Sequence, residues 1–140
     1  MTILDDVSAY LIANTTVFTV AGSTAGNLSI EQALDSMQDT LVTLYEQPGI
    51  VNEYSFSTGA SVTVEYERPN MQAISRSTLA TTARSNIQKV YTELDGLTNT
   101  TMGGTRYLEF EAVQAPFQLG RDENERHLWS LNFNVKKEVG

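Results

Sequence analysis

The sequence predicts an α+β fold over residues 1–140: a mixed, mainly antiparallel sheet of four to five strands packed by two helices. Three observations lead there. Residues 3–13 and 78–94 carry apolar side chains at helical spacing. The segments 106–113 and 129–135 alternate apolar with polar residues at period two. The helices also stand apart from runs of neighbouring strands instead of alternating with them one by one, which is the order of an α+β chain.

The first helix covers residues 3–13, where Ile3, Leu4, Val7, Tyr10 and Leu11 share one face. Thr2 is placed to cap it, and Asp5 and Asp6 fall in its first turn, where the helix dipole favours carboxylates. The run Val17–Val20 reads as a short strand, and the glycine-bearing stretch after it as a loop. Ser29, followed by Glu31 and Gln32, opens a brief helix through Met37. Thr40 to Glu46 is β-branched and aromatic, a strand closed by the turn Gln47-Pro48-Gly49. Residues 47–60 are a polar loop or hairpin arm, and Ser61 to Tyr66 alternates as a strand. Pro69 cannot donate to a ladder, so it marks a strand start or an edge, with Asn70 to Arg76 as the next strand.

Ser77 or Thr78 is expected to cap the second helix. Ala80, Ala83, Ile87, Val90, Tyr91 and Leu94 form its apolar face, and Gly96 supplies the residue that ends it. Gly103-Gly104 reads as a turn that needs positive φ. In the strand from Arg106 to Val113, Leu108, Phe110 and Ala112 face one way and Tyr107, Glu109 and Glu111 the other. A proline-bent polar loop, 114–126, leads to the last strand. There Trp129, Leu131, Phe133 and Val135 alternate with Ser130, Asn132 and Asn134.

Composition narrows the function. With 41% apolar and 19% charged residues the chain is an ordinary globular one. It lacks a run of ~20 apolar residues that would span a bilayer, so no membrane partner is expected. Asp5 and Asp6 near the start, with no basic residue before them, do not read as a signal peptide. Cysteine is absent, which excludes disulfides and thiolate chemistry and suits assembly in a reducing cytosol. The net charge of −8, with three lysines and six arginines forming no basic stripe, argues against gripping nucleic acid.

Residues able to do chemistry are sparse. His127 is the sole histidine, and no Gly-x-Ser-x-Gly elbow exists to give it a nucleophile. Asp122-Glu123-Asn124-Glu125 lacks the central glycine and the later glutamate of a calcium loop; a solvated β-loop flanked by Arg121 and Arg126 fits better. Gly103-Gly104 is followed by a strand and no Lys-Ser/Thr, so it is no phosphate cradle. Glu109 and Glu111 share a strand face and fit a wet surface or subunit boundary better than an acid/base pair. No catalytic residue, cofactor or metal ligand is assigned, and an enzyme is not expected.

One resemblance is specific in the order and spacing of its turns. Leu94-Asp95-Gly96-Leu97, Gly103-Gly104-Thr105-Arg106-Tyr107-Leu108, Gln114-Ala115-Pro116-Phe117 and Leu119-Gly120-Arg121-Asp122-Glu123 together resemble the C-terminal half of the tail terminator proteins, or minor capsid proteins, of long-tailed bacteriophages. The likeness continues upstream through Leu44-Tyr45-Glu46 and Pro69-Asn70-Met71-Gln72 to Arg76, covering roughly residues 40–137. It departs at 14–39 and 50–66, which are richer in Ser, Thr and Gly. The resemblance implies a homo-oligomeric, hexameric ring that caps the completed tail tube. It also implies a docking surface for head-completion (stopper) proteins, passage of DNA through the lumen without sequence-specific binding, and a place at the tail–neck junction of the virion.

A closed ring of this kind needs two different complementary faces on each subunit. The candidate subunit or tube interface comprises Tyr54, Glu65, Arg68 and Arg76, with Pro116, Phe117, Arg121, Asp122, Glu123 and Arg126. The rival readings are another head–tail connector or a tail-tube-like subunit, a small acid/base enzyme using Glu109, Glu111 or His127, and a surface-binding module.

Overall fold

The computed structural model of the chain describes residues 3–18, 27–31, 33, 37–56 and 62–138, and for residues 48–56 and 62–65 the backbone alone. Two helices, α1 (Ile3–Asn14) and α2 (Ala80–Leu94), accompany seven strands. These are β1 (Leu28–Ile30), β2 (Leu41–Phe56), β3 (Val62–Ser77), β4 (Thr98–Met102), β5 (Thr105–Ala112), β6 (Phe117–Arg121) and β7 (His127–Glu138). The sheet order is β1-β2-β3-β7-β5-β4, with β6 also on β7. All pairings are antiparallel except β1 with β2. The fold is thus α+β and mainly antiparallel as predicted, with more strands than the four to five expected.

Both helices lie on one face. Leu4, Val7 and Leu11 of α1, and Ile87, Val90 and Leu94 of α2, are buried against Leu44, Met71, Ala73, Tyr107, Phe110, Leu131 and Phe133 of the sheet. The register aligns the row Leu44, Ala73, Leu131 across β2, β3 and β7, beside the pair Met71 and Phe133, so one face of three strands is apolar. Phe110 bridges Tyr107 (centroids 5.3 Å apart) and the edge of Phe133 (6.2 Å). The Ser75 hydroxyl donates to the Ala83 carbonyl at 2.9 Å, tying the start of α2 to β3.

Several expectations are corrected. Val17 and Phe18 are not in a strand, and residues 19 and 20 lie outside the described residues, as do Thr2, Gln32 and residues 34–36. Ser29 does not open a helix: it lies in β1, where its hydroxyl shares a buried 2.9 Å hydrogen bond with Thr43. Gln47-Pro48-Gly49 does not end a strand. β2 runs through it, absorbing the proline at a register shift between Gln47 and Ile50. The expected strands on either side of Pro69 are one strand, β3, and it is central. Pro69 falls between the rungs Ile50–Arg68 and Gln47–Asn70, where the ladder is already irregular, so its missing N–H breaks no regular rung.

The N-cap of α2 is Leu79, with no side-chain cap; Ser77 closes β3, where its hydroxyl pairs with Thr40 and accepts the Leu79 N–H. Ala80 is exposed. Gly96 ends the helix at φ 83° as expected, its N–H donating to the Phe110 carbonyl. The polar segment Thr98–Met102 is strand β4, joined to β5 through Gly103 and Gly104 at φ 57° and 82°.

Tyr107 is buried, not on the glutamate face. The pairs Tyr107–Lys137 and Glu109–Lys136 place two residues of β5 opposite one of β7, so Leu108 is a bulge that turns Tyr107 and Phe110 to the same side. Trp129 is half-buried while Ser130, expected on the polar face, is buried, because the N-terminal half of β7 is flanked by both β3 and β6. The expected loop 114–126 contains β6.

Asp6, placed by sequence in the first turn of α1, is 1% exposed. The Tyr107 hydroxyl donates to its Oδ2 at 2.6 Å, while Oδ1 sits where a Cβ on Gly103 would come within 2.0 Å. One contact thus joins α1, the β4–β5 turn and β5.

Candidate functional site

The helices cover one sheet face and leave the other to side chains of the opposite parity. On β2, β3 and β7 these include Gln47, Asn70, Gln72, Ser130, Asn132 and Asn134. Gln47 Nε2 donates to Gln72 Oε1, and Gln72 Nε2 to Ser130 Oγ, each at 3.1 Å, so a ladder of neutral side chains crosses three strands. Glu109 and Glu111 join this face opposite Lys136 and Asn134.

Four of the ten predicted interface residues converge. Arg76, Asp122, Glu123 and Arg126 line a pocket of about 350 Å3 with Tyr45 and Leu128. Both arginines are buried, at 4% and 3% exposure. Arg76 donates through Nη1 to the Ala33 carbonyl at 3.1 Å and through Nη2 to that of Gln38 at 3.0 Å, holding the segment before β2 against β3. Arg126 donates through Nε to Asp122 Oδ2 at 2.7 Å, with Nη1 3.5 Å from Asp39.

Asp122 organises the β6–β7 turn. Its Oδ1 accepts the backbone N–H groups of Asn124 (3.0 Å) and Arg126 (2.9 Å), and Glu125 takes a left-handed conformation at φ 57° to close the loop. Desolvation opposes ionisation of Asp122. The backbone and guanidinium hydrogen bonds from Arg126, the Asn124 N–H and the Arg126 charge outweigh it and hold the carboxyl below its ordinary value.

The other six residues lie elsewhere. Pro116, Phe117 and Arg121 belong to the β6 segment, where Phe117 is 38% exposed and Arg121 is exposed. Arg68 lines a small pocket of about 70 Å3 with Glu109 and Glu111, further along the polar face. Tyr54 lies on β2, on the rung to Val64, and Glu65 on β3; their side chains lie outside the described residues.

Sequence reading missed Val113 and Leu119, exposed at 57% and 49%. With Phe117 they place three large apolar side chains within seven residues. The signal lay in apolar residues at the end of the predicted strand, Val113, and inside the predicted polar loop, Phe117 and Leu119.

The acid/base alternative is dispersed. Glu109 and Glu111 lie together on the polar face, but His127 starts β7 nine residues from Lys136, the partner of Glu109, a span of roughly 30 Å. Among the described residues, no group of three or more His, Asp or Glu is arranged to hold a metal.

Among the described residues, open strand edges lie on opposite flanks of the sheet. In the order β2-β3-β7-β6, β1 lies beside β2 only from Val42 to Leu44, so among the described residues no strand lies on the side of β2 away from β3 between Tyr45 and Phe56. On the other flank, among the described residues, β6 pairs with β7 alone.

Comparison with known proteins bears on what such a subunit is for. Residues 22–139 match the family described as bacteriophage tail terminator protein. No curated protein matches the chain. Seven chains of solved structures match. Among them is a chain of the virion of a native gene transfer agent particle, at TM-score 0.56 and 15% identity, covering 98% of this chain and 95% of that one. At that identity the likeness is one of fold.

Proposed function

The chain belongs to the bacteriophage tail terminator family and is a structural protein of the phage tail; from that premise we propose that it closes into a hexameric ring on the end of the completed tail tube. The ring occupies the growing end, so no further tube subunit can add, and it presents a new surface on which head-completion proteins dock. DNA passes through its lumen, at the tail–neck junction of a virion assembled in the host cytoplasm.

The observation that carries this reading is the extent of the family match. Residues 22–139 take in the seven described strands and α2, so the match extends over the sheet and one of its helices and is not confined to a short motif. Two features agree with it. Open strand edges on opposite flanks give a subunit the two unlike faces that a closing head-to-tail ring requires. A chain of net charge −8 lets DNA slide without the phosphate neutralisation that would hold it. The role is steric and asks for no catalysis.

Native mass spectrometry across concentration, together with electron microscopy of labelled protein added to growing tail tubes, tests the proposal. A six-subunit mass, with label confined to one tube end and elongation stopped there, is the expected result. Open-ended polymers, or label distributed along the tube, would overturn it in favour of a tube-like subunit. Absence of label from tube ends would overturn it in favour of another connector.

A further inference from the structure

We propose that neighbouring copies join edge to edge, with β6 of one copy adding as a strand beside the open edge of β2, residues 45–56, of the next. This rests on the ring reading and specifies the surfaces that close it.

The two edges are complementary in several respects. They lie on opposite flanks of one sheet, so head-to-tail pairing leaves one free edge at each end of a growing chain of copies until the ring closes. Backbone N–H and C=O groups on an unpaired strand edge gain a ladder when a second strand adds. β2 offers a long edge, roughly 35–40 Å from Tyr45 to Phe56. Beyond the rung Tyr66–Glu138, β2 is the one strand among the described residues that flanks β3, and a two-stranded ribbon is marginal in water unless something packs on it.

β6 offers the apolar part. Phe117 and Leu119 are exposed on it and Val113 at its approach, whereas the exposed positions of the other edge strand, β4, are Thr and Asn. Charge points the same way. Residues 45–56 carry Glu46 and Glu53 and no Lys or Arg, while β6 carries Arg121 and no acid.

The local geometry of β6 also limits the contact. It is five residues long, Pro116 precedes it, and Leu119 is a bulge, since Gln118–Trp129 and Gly120–Leu128 are successive rungs on β7. These are devices that stop an edge from templating indefinite pairing. They admit one short strand contact and no more, as a closed assembly needs.

The test is site-specific photocross-linking. Phe117 is replaced by p-benzoylphenylalanine, and the protein is assembled from an equal mixture of light and 15N-labelled copies, so that contacts between copies carry mixed isotopes. The thermal midpoint checks folding, and native mass spectrometry reports assembly. The expected result is mixed-isotope cross-links to residues 45–56. Leu119→Asp, at an exposed position, is expected to keep the thermal midpoint and weaken assembly at least tenfold.

Cross-links between copies at another segment, or assembly with none, would overturn the edge pairing and leave the ring intact. A monomer without cross-links in solution, and again without them on tube ends, would overturn the pairing and the ring together.

Discussion

The turn at Gly103-Gly104 permits a comparison in which the backbone cost is matched and only one contact differs. Both glycines have positive φ, 57° and 82°, so an alanine at either costs about 1–2 kcal/mol from the left-handed backbone alone. At Gly104 a Cβ meets nothing within 4 Å, and Gly104→Ala should lose that amount and no more. At Gly103 the same Cβ would stand 2.0 Å from Asp6 Oδ1 and 2.9 Å from its Cγ. Both are inside van der Waals contact, and Asp6 is buried on a packed helix.

The carboxyl must therefore move by an ångström or more. That breaks its 2.6 Å hydrogen bond from Tyr107, of the class in which a charged acceptor contributes about 1.5–3 kcal/mol. Gly103→Ala should then cost about 2.5–5 kcal/mol in all, against about 1–2 for its neighbour. Urea unfolding, followed through the fluorescence of the single tryptophan, Trp129, gives both values. In an Asp6→Ala background the clash is gone, and the two glycine variants should become equal. Equal losses in the wild-type background would refute the proposed packing of α1 on the β4–β5 turn.

Two pH dependences follow, one from this contact and one from the β6–β7 turn. Burial, then the hydrogen bond and negative charge of Asp6, then Glu67, push the Tyr107 hydroxyl far above its ordinary value. A group raised in the folded state contributes stability that is complete below its unfolded pKa, about 10, and is lost as pH rises above it. Unfolding free energy should therefore fall above pH ~10, and less steeply in Tyr107→Phe, which should also cost about 2 kcal/mol at neutral pH. Asp122 is depressed, so its contribution is present above its unfolded pKa of about 3.9 and lost as pH falls through its folded value. Wild type and Asp122→Asn should differ at pH 6 and converge in acid, and a constant gap between their stability curves down to pH 2 would refute that role.

What the sequence made legible was whatever repeats along the chain. The α1 and α2 faces, the glycine that ends α2, the turn at Gly103-Gly104 and the alternation from Leu131 to Val135 all rest on local periodicity or local backbone need. What it hid depends on a neighbour strand. Tyr107 falls in phase with Glu109 and Glu111 in sequence, and only the bulge at Leu108, defined by pairing with β7, turns it inward. Pro48 and Pro69 read as punctuation in isolation, yet lie within long strands because the ladder shifts around both. β4 and β6 are composed like loops, Thr-Asn-Thr-Thr and Phe-Gln-Leu-Gly-Arg, and are strands because β5 and β7 supply their hydrogen bonds.

The same distinction sorts the candidate interface residues by how each would act. Arg76 and Arg126 are buried and bonded within the subunit, so replacing either reshapes the segment before β2 or the β6–β7 turn before any neighbour is met. A loss of assembly in those variants would report on folding as much as on contact. Phe117, Leu119 and Arg121 are exposed on a strand whose own fold depends on backbone pairing with β7. Their substitution changes what a neighbour meets while leaving the monomer's hydrogen bonds in place. Sequence alone could not separate the two groups, because an arginine beside an acidic turn looks the same whether its guanidinium closes that turn or faces a partner. Burial separates them, and it directs the decisive assembly variants to β6.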